Sequence, residues 1–247
     1  MPRYCLDLPT PAEGFIDSFL LGNGWLGATL KGGIGTERFD LNLDTVWSGG
    51  PLTQEEGDGP AHLVPALREA IRNRDYLKAD ELGRALQGKR FTQSYQPLGA
   101  IELTYADADA SGYTRRLDLA EAVATTHYGD VRMESFVSHP DGVLVSVATG
   151  SGVYGIDKAR IGFRCPHPHA DVSVWKEGDA TWLVATARVP VHVLPNYAEG
   201  TDPIRYDATA PAPDGTVAAG MGYAVVACLH RDGDDLRLIA SAASGFR

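Results

Sequence analysis

The sequence has few cysteines, no basic cluster and no long apolar run. Its only cysteines are Cys5, Cys165 and Cys228, an odd and small number that argues against a disulfide framework. The formal net charge is −10, and no run of lysine or arginine offsets it locally, so nucleic acid is not an expected partner. No apolar run approaches the roughly 20 residues of a membrane-spanning helix, so we expect no membrane partner.

Several functional signatures are also missing. The first residues, MPRYCLDLPTPAEGF, contain no apolar segment of the secretory type, so we expect a cytoplasmic protein if this N-terminus is native. Neither a G-x-S-x-G nucleophile turn nor a G-x-x-x-x-G-K-[ST] phosphate loop occurs. The sequence therefore predicts neither a Ser-His-Asp hydrolase nor a bound cofactor.

What the sequence does contain is many short apolar segments with a period of two, separated by turn residues. One example is FDLNLD, in which apolar residues alternate with polar ones, as in a strand with one buried face. The segments from 101 onward with this pattern are 101–105, 113–119, 122–128, 131–138, 143–149, 159–165, 171–175, 181–189, 223–229 and 236–242. Consecutive antiparallel strands must stack to hide their apolar faces, so we expect a mainly β sandwich and a single domain over 1–247.

A helical spacing interrupts the strands between residues 61 and 88. Leu63, Leu67 and Ile71 recur every four residues, and Leu77 begins a second such run after a polar break. Gly88 is a typical helix terminator. This segment predicts a small helical hairpin inserted in the β domain, and the remaining polar stretch 195–220 predicts a long loop.

Three motifs in a fixed order resemble one enzyme family. They are LLGNGWLGA (20–28), FDLNLDTVWSGGP (39–51) and SYQPLG (94–99), and the order resembles the start of family 95 glycoside hydrolases, the α-L-fucosidases. The likeness continues in collinear order through 113–128, 135–145, 188–207 and 236–246. The resemblance implies the N-terminal β-domain of such an enzyme, a large antiparallel super-β-sandwich.

The resemblance also implies a division of labour within the full-length enzyme. Hydrolysis of terminal α-L-fucosides, with inversion, would use carboxylates of a helical barrel that follows this domain, and no position here matches them. We therefore assign no catalytic residue. The expected partners are that catalytic barrel domain and fucosylated glycans.

Asn42, Asp44 and Trp47 are the candidate substrate-binding residues. Amide, carboxylate and indole groups suit a sugar, which is held by hydrogen bonds at its rim and by an aromatic face. The competing interpretation is that Asn42 and Asp44 bond to local backbone while Trp47 packs into the core.

Two further patterns leave alternatives open. Cys165, His167 and His169 alternate in CPHPH, as metal ligands in a strand would, but the intervening prolines favour structural histidines and no metal site. The alternative function is an independent carbohydrate-binding module that uses Trp175, Trp182 and Tyr197. Tryptophans aligned on an exposed sheet face favour such a module, whereas tryptophans buried between sheets favour a structural role.

Overall fold

The computed structural model describes residues 4–50, 60–86, 92–107, 109–198, 200, 202–207 and 220–246. Pro51, the end of the predicted hairpin (87–88) and residues 199, 201 and 208–219 of the predicted loop lie outside the described residues. The described helices are a 3-10 turn at Ala61–Leu63, α1 at Val64–Arg72 and α2 at Tyr76–Leu86. None of them combines the length and apolarity that crossing a membrane requires.

The strands in the described part of the chain occupy most of the segments that the alternation predicts. They are β1 Cys5–Leu8, β2 Phe19–Gly22, β3 Leu26–Leu30, β4 Thr36–Leu43, β5 Gly99–Thr104, β6 Thr114–Asp118, β7 Val123–Tyr128, β8 Val131–Ser138, β9 Val143–Thr149, β10 Arg160–Arg164, β11 Asp171–Glu177, β12 Ala180–Arg188, β13 His192–Val193, β14 Ile204–Arg205, β15 Gly222–Asp232 and β16 Asp235–Gly245. The prediction of a mainly β fold with a helical hairpin is confirmed.

The chain forms two compact units. The first comprises 1–47, 95–189 and 221–247, and the second comprises 48–94 and 190–220. The helices and the β13–β14 pair belong to the second unit. The predicted single domain over 1–247 stays a prediction.

The first unit is a sandwich of two antiparallel sheets. One sheet has nine strands in the order β1-β6-β7-β8-β9-β16-β15-β12-β11, and the other has five in the order β10-β5-β4-β3-β2. Alternate residues of both sheets form one core, in which Phe39, Leu41 and Leu43 of β4 are fully buried. Their polar neighbours on β4 therefore face outward, as the period of two predicts.

The β2–β3 turn depends on Asn23. Its Oδ1 accepts hydrogen bonds from the backbone N–H groups of Trp25 and Leu26, at 2.9 and 2.8 Å. Its Nδ2 donates to the carbonyl oxygen of Ser138 at 2.9 Å. The segment Gly22–Gly27 matches the G-x-G-x-x-G pattern, but it joins two antiparallel strands and lacks the helix N-terminus that binds a dinucleotide.

Glu37 is buried beneath the β3–β4 connection. Its two carboxylate oxygens accept four backbone N–H groups, those of Lys31, Gly32, Gly33 and Arg38, at 2.8 to 3.2 Å. Burial raises the pKa of Glu37 to about 7, against the opposing effect of these donors. This carboxyl group therefore organises the connection from inside the core.

The second unit holds the helical hairpin and a chain of polar side chains. Leu77 is 84% exposed, so the apolar periodicity of the helices is only partly buried. Gln93 Oε1 accepts hydrogen bonds from Ser48 Oγ at 2.7 Å and from the Val193 N–H at 3.2 Å, and Gln93 Nε2 lies 2.9 Å from His192 Nδ1. These bonds link segments that are distant in sequence within this unit.

Candidate carbohydrate-binding site

The candidate residues lie at the point where β4 ends. The Asp44 N–H donates to the carbonyl oxygen of Trp25 at 3.1 Å, and the Val46 N–H closes a turn onto Leu43 at 3.0 Å. Val46 is completely buried in this turn. The turn is therefore anchored by Val46, and it leaves Asp44 and Trp47 at the surface.

Trp47 forms an exposed aromatic pair with Tyr95. Their ring centroids are 5.4 Å apart at an interplanar angle of 60°, and an isolated antiparallel bridge joins the two residues. Trp47 is 43% exposed and Tyr95 is 42% exposed. The Trp47 Nε1–H donates to the carbonyl oxygen of Asp44 at 3.0 Å, so the polar edge of the indole is satisfied internally while much of its surface remains open.

The side chains of Asn42 and Asp44 make no hydrogen bond to any other residue in the part of the chain that the structure describes. Among the described residues, the expectation that these two side chains bond to local backbone is therefore not met. The backbone N–H of Asp44, by contrast, is hydrogen-bonded to Trp25. Burial raises the pKa of the Tyr95 phenol, and the nearby Asp44 carboxylate raises it further. The phenol therefore stays protonated at neutral pH and can donate a hydrogen bond beside an open carboxylate acceptor.

Two further aromatic residues, Tyr95 and Trp25, lie near the end of β4, and the alternation in the sequence indicates neither of them. Tyr95 lies within the SYQPLG motif and Trp25 within LLGNGWLGA, but neither falls in an alternating strand pattern. Trp25 is 55% exposed, and its backbone carbonyl oxygen accepts the hydrogen bond from the Asp44 N–H. The signal that could have found both is an aromatic residue inside a Gly- or Pro-containing turn motif.

Of the residues singled out in CPHPH, His167 and Cys165 contact the sandwich core, whereas His169 is exposed. His167 is buried, with Nε2 2.9 Å from the carbonyl oxygen of Pro97 and its ring edge-on to Tyr223. Burial lowers the pKa of His167. Cys165 Sγ lies 3.1 Å from the Tyr223 hydroxyl. Within the described ranges, no three His, Cys, Asp or Glu side chains form a group that could hold a metal ion.

The structure brings together two of the three aromatic residues named for the alternative function. Trp175 on β11 stands directly opposite Trp182 on β12, in the first unit. Trp175 is 44% exposed, and Trp182 is half-buried and alternates with the core residues Thr181 and Leu183. Both indoles therefore lie on the outer face of the nine-stranded sheet. Tyr197 belongs to the second unit, where it is exposed.

The same sheet carries an open pocket of about 450 Å³ near its β1 edge. Its cationic groups are already engaged, because Arg116 lies 3.4 Å from Asp7 and donates to Cys5 Sγ, and Arg132 pairs with Glu134 at 2.5 Å. The cavity therefore offers no uncompensated positive charge for an anion.

The fold places this chain among the antiparallel β-sandwich domains, with exposed aromatic residues at the end of β4 and on the outer face of the nine-stranded sheet. The chain belongs to the family described as "Glycosyl hydrolase family 65, N-terminal domain", whose family model matches residues 6–247.

Curated relatives carry fucosidase names. The chain is 34% identical over 152 residues to "Probable alpha-fucosidase A" of Aspergillus niger, covering 56% of this chain and 19% of that protein. It is 32% identical over 144 residues to "Alpha-L-fucosidase 2" of Arabidopsis thaliana, covering 55% of this chain and 17% of that protein. These matches span less than a fifth of the relatives' length. They confirm the predicted resemblance to the N-terminal domain of α-L-fucosidases.

Proposed function

We propose that this chain is the non-catalytic N-terminal domain of an α-L-fucosidase-like glycoside hydrolase. It packs against a catalytic barrel domain, and the site formed by Asn42, Asp44, Trp47 and Tyr95 contacts the glycan substrate. The observation that carries the ligand role is the pairing of open aromatic surface with polar side chains that have no hydrogen-bond partner among the described residues. Pyranose rings present an apolar C–H face and a rim of hydroxyl groups, which this combination complements.

The non-catalytic role is supported by the position of the carboxyl groups. A glycosidase needs a carboxylic acid with a raised pKa beside the scissile bond. Among the described residues, the carboxyl group with a clearly raised pKa is Glu37, which is fully buried and surrounded by backbone donors. It cannot reach a substrate without unfolding the β3–β4 connection. The proposal therefore gives Glu37 a structural role and assigns the catalytic carboxylates to the barrel domain, as the resemblance implies.

The packing role is supported by exposed apolar side chains along the edge strand β2 and the residues that flank it. The large exposed residues here are Phe15, Ile16, Leu20 and Trp25. Side chains of this size are rarely exposed together unless another surface covers them. We expect residues 1–247 alone to self-associate at high concentration, and Ile16→Ser with Leu20→Ser to reduce that association in analytical ultracentrifugation.

Turnover by the chain alone tests the catalytic assignment. Residues 1–247 incubated with 2′-fucosyllactose should release no fucose. Sustained release that survives repurification would overturn the proposal.

The substrate contact is tested in the full-length protein that contains residues 1–247. Asn42→Ala and Trp47→Ala should raise KM for a fucosyl oligosaccharide about tenfold and leave kcat nearly unchanged, because they remove binding made before the chemical step. Tyr76→Ala, an exposed aromatic residue of α2, is the matched control and should change neither value. Unchanged KM in both site variants would reject the ligand role.

A further inference from the structure

An apolar row crosses the outer face of the nine-stranded sheet. The register places one residue from each of six adjacent strands opposite the next: Trp175, Trp182, Cys228, Ile239, Val145 and Phe136. We call these six residues the outer row. Five strand spacings of about 4.8 Å make it roughly 24 Å long. All six side chains are exposed or half-buried. On β12, β15, β16, β9 and β8, the residues on either side of each outer-row residue point to the opposite face of the sheet.

The two tryptophans form an aromatic platform at one end of the outer row. Residues directly opposite each other on antiparallel strands have Cβ atoms about 5 Å apart, so the indoles of Trp175 and Trp182 are neighbours. β11 is the edge strand and every one of its residues is exposed. A ligand can therefore approach Trp175 from above the sheet and from its edge.

A second row of residues runs parallel to the outer row and includes three polar side chains, those of His230, Arg237 and Glu134. Two residues further along the strands, Ala180 is opposite His230, and His230 is opposite Arg237. The remaining pairs of this second row are Arg237 with Val147 and Val147 with Glu134. Hydrogen-bonding groups therefore flank an apolar strip, an arrangement that suits a ring with an apolar face and a hydroxylated rim better than a uniformly apolar protein surface.

The charges on this face favour a neutral ligand. Arg237 is paired with Asp232 at 2.8 Å and lies 3.9 Å from Asp235. The whole chain carries a formal charge of −10. An anionic polymer would be repelled and would find no free guanidinium group here.

We propose that the outer row binds a neutral, extended oligosaccharide, with sugar rings stacked on Trp175 and Trp182. This is a second glycan-binding surface that does not depend on the proposed role of Asn42, Asp44 and Trp47. The length of the outer row favours a chain of several sugars over a single ring. Stacking on the platform provides affinity, and the polar side chains of the second row orient the hydroxyl groups.

The test uses residues 1–247 with an array of neutral and anionic oligosaccharides, followed by calorimetric titration with the best neutral ligand. We expect binding to long neutral glycans, accompanied by a change in tryptophan fluorescence. Trp175→Ala should weaken it about tenfold, because truncation of an aromatic anchor typically costs at least that much. Trp182→Phe keeps a ring in a half-buried position and should bind more tightly than Trp182→Ala.

Tyr76→Ala is the matched control, since Tyr76 is an exposed aromatic residue of α2 that belongs to neither proposed binding surface. It should retain full affinity, and circular dichroism melting should show that each variant is folded. Four results would overturn the proposal: no neutral glycan bound, a preference for anionic glycans, affinity unchanged in Trp175→Ala, or loss of affinity in Tyr76→Ala instead. Self-association lost in Trp175→Ala, with no glycan bound, would assign the row to protein docking.

Discussion

Ser135 on β8 and Ser146 on β9 face each other inside the sandwich with their hydroxyl oxygens 2.8 Å apart. Both residues are completely buried, so each hydroxyl group depends on the other in place of water. Removing one hydroxyl group leaves the other buried without a hydrogen-bond partner, whereas removing both leaves no unsatisfied hydroxyl group at this pair.

Ser135→Ala should therefore lower the free energy of unfolding by about 1–3 kcal/mol, and Ser135→Ala with Ser146→Ala should cost less than the sum of the single changes. Urea unfolding of the four proteins in a double-mutant cycle checks this. Additive single effects would show that the two hydroxyl groups are not coupled.

Glu37 should make the first unit less stable as the pH rises from 4.5 to 7. Its folded pKa of about 7 lies above the ordinary value of 4.5. Its contribution is therefore fully present below pH 4.5 and is lost by pH 7, a change of about 3 kcal/mol. The measurement is the difference in unfolding free energy between the parent chain and Glu37→Gln across this pH range. Taking the difference removes the contribution of His167, whose lowered pKa makes the folded chain more stable as the pH rises.

Glu121→Gln is the control for that experiment, because Glu121 is exposed. It should reproduce the pH dependence of the parent chain. Parallel curves for the parent and Glu37→Gln would mean that Glu37 is ionised in the folded chain throughout this range.

Gln93 should fix the tautomer of His192. Since Gln93 Oε1 accepts two hydrogen bonds, the amide NH₂ is assigned as the donor to His192 Nδ1, and the neutral ring then carries its proton on Nε2. Gln93→Leu removes partners from Ser48, Val193 and His192, and should destabilise the chain by about 1–3 kcal/mol. Thermal unfolding measures the change, and ¹⁵N spectra of His192 should show that the ring no longer holds one tautomer.

The control is Thr92→Ala, an exposed neighbour of Gln93. It should leave both the unfolding temperature and the His192 spectrum unchanged. A Gln93→Leu protein with the parent's tautomer would contradict the assignment.

Asn23→Ala should destabilise the β2–β3 turn. It removes two acceptor bonds within the turn and one donor bond to Ser138, for an expected loss of about 2 kcal/mol. Guanidinium unfolding checks the magnitude. Asn73→Ala, an exposed asparagine just after α1, should cost far less.

Local alternation located most of the strands and, with the short breaks between them, the consecutive antiparallel pairs from β6 to β9. It did not predict the pairs between strands far apart in sequence. The predicted strand 159–165 is observed at Arg160–Arg164, and the predicted 181–189 at Ala180–Arg188. β16 extends to Gly245 because its small residues pair with Gly222–Ala224, a contact that periodicity does not encode. The pairing of β9 with β16 joins segments far apart in sequence, and only global packing decides it.

The sequence indicates only some of the residues that the structure brings together at the end of β4, and their role as a site stays a prediction. Asn42, Asp44 and Trp47 follow a strand whose pattern is clear in the sequence. Tyr95 reaches Trp47 through an isolated bridge formed after a helical insertion, so no local spacing relates the two. Asp44 retains an open carboxylate because its backbone, rather than its side chain, closes the turn onto Trp25.

The exposure of β11 also bears on aggregation. An edge strand presents unpaired backbone N–H and C=O groups, and Val172 and Val174 add apolar surface to it. Charged residues stand at its two ends, Asp171 at one and Lys176 with Glu177 at the other. They act as gatekeepers against intermolecular strand addition. Neutralising them would turn the strand that displays Trp175 into a template for sheet growth between molecules.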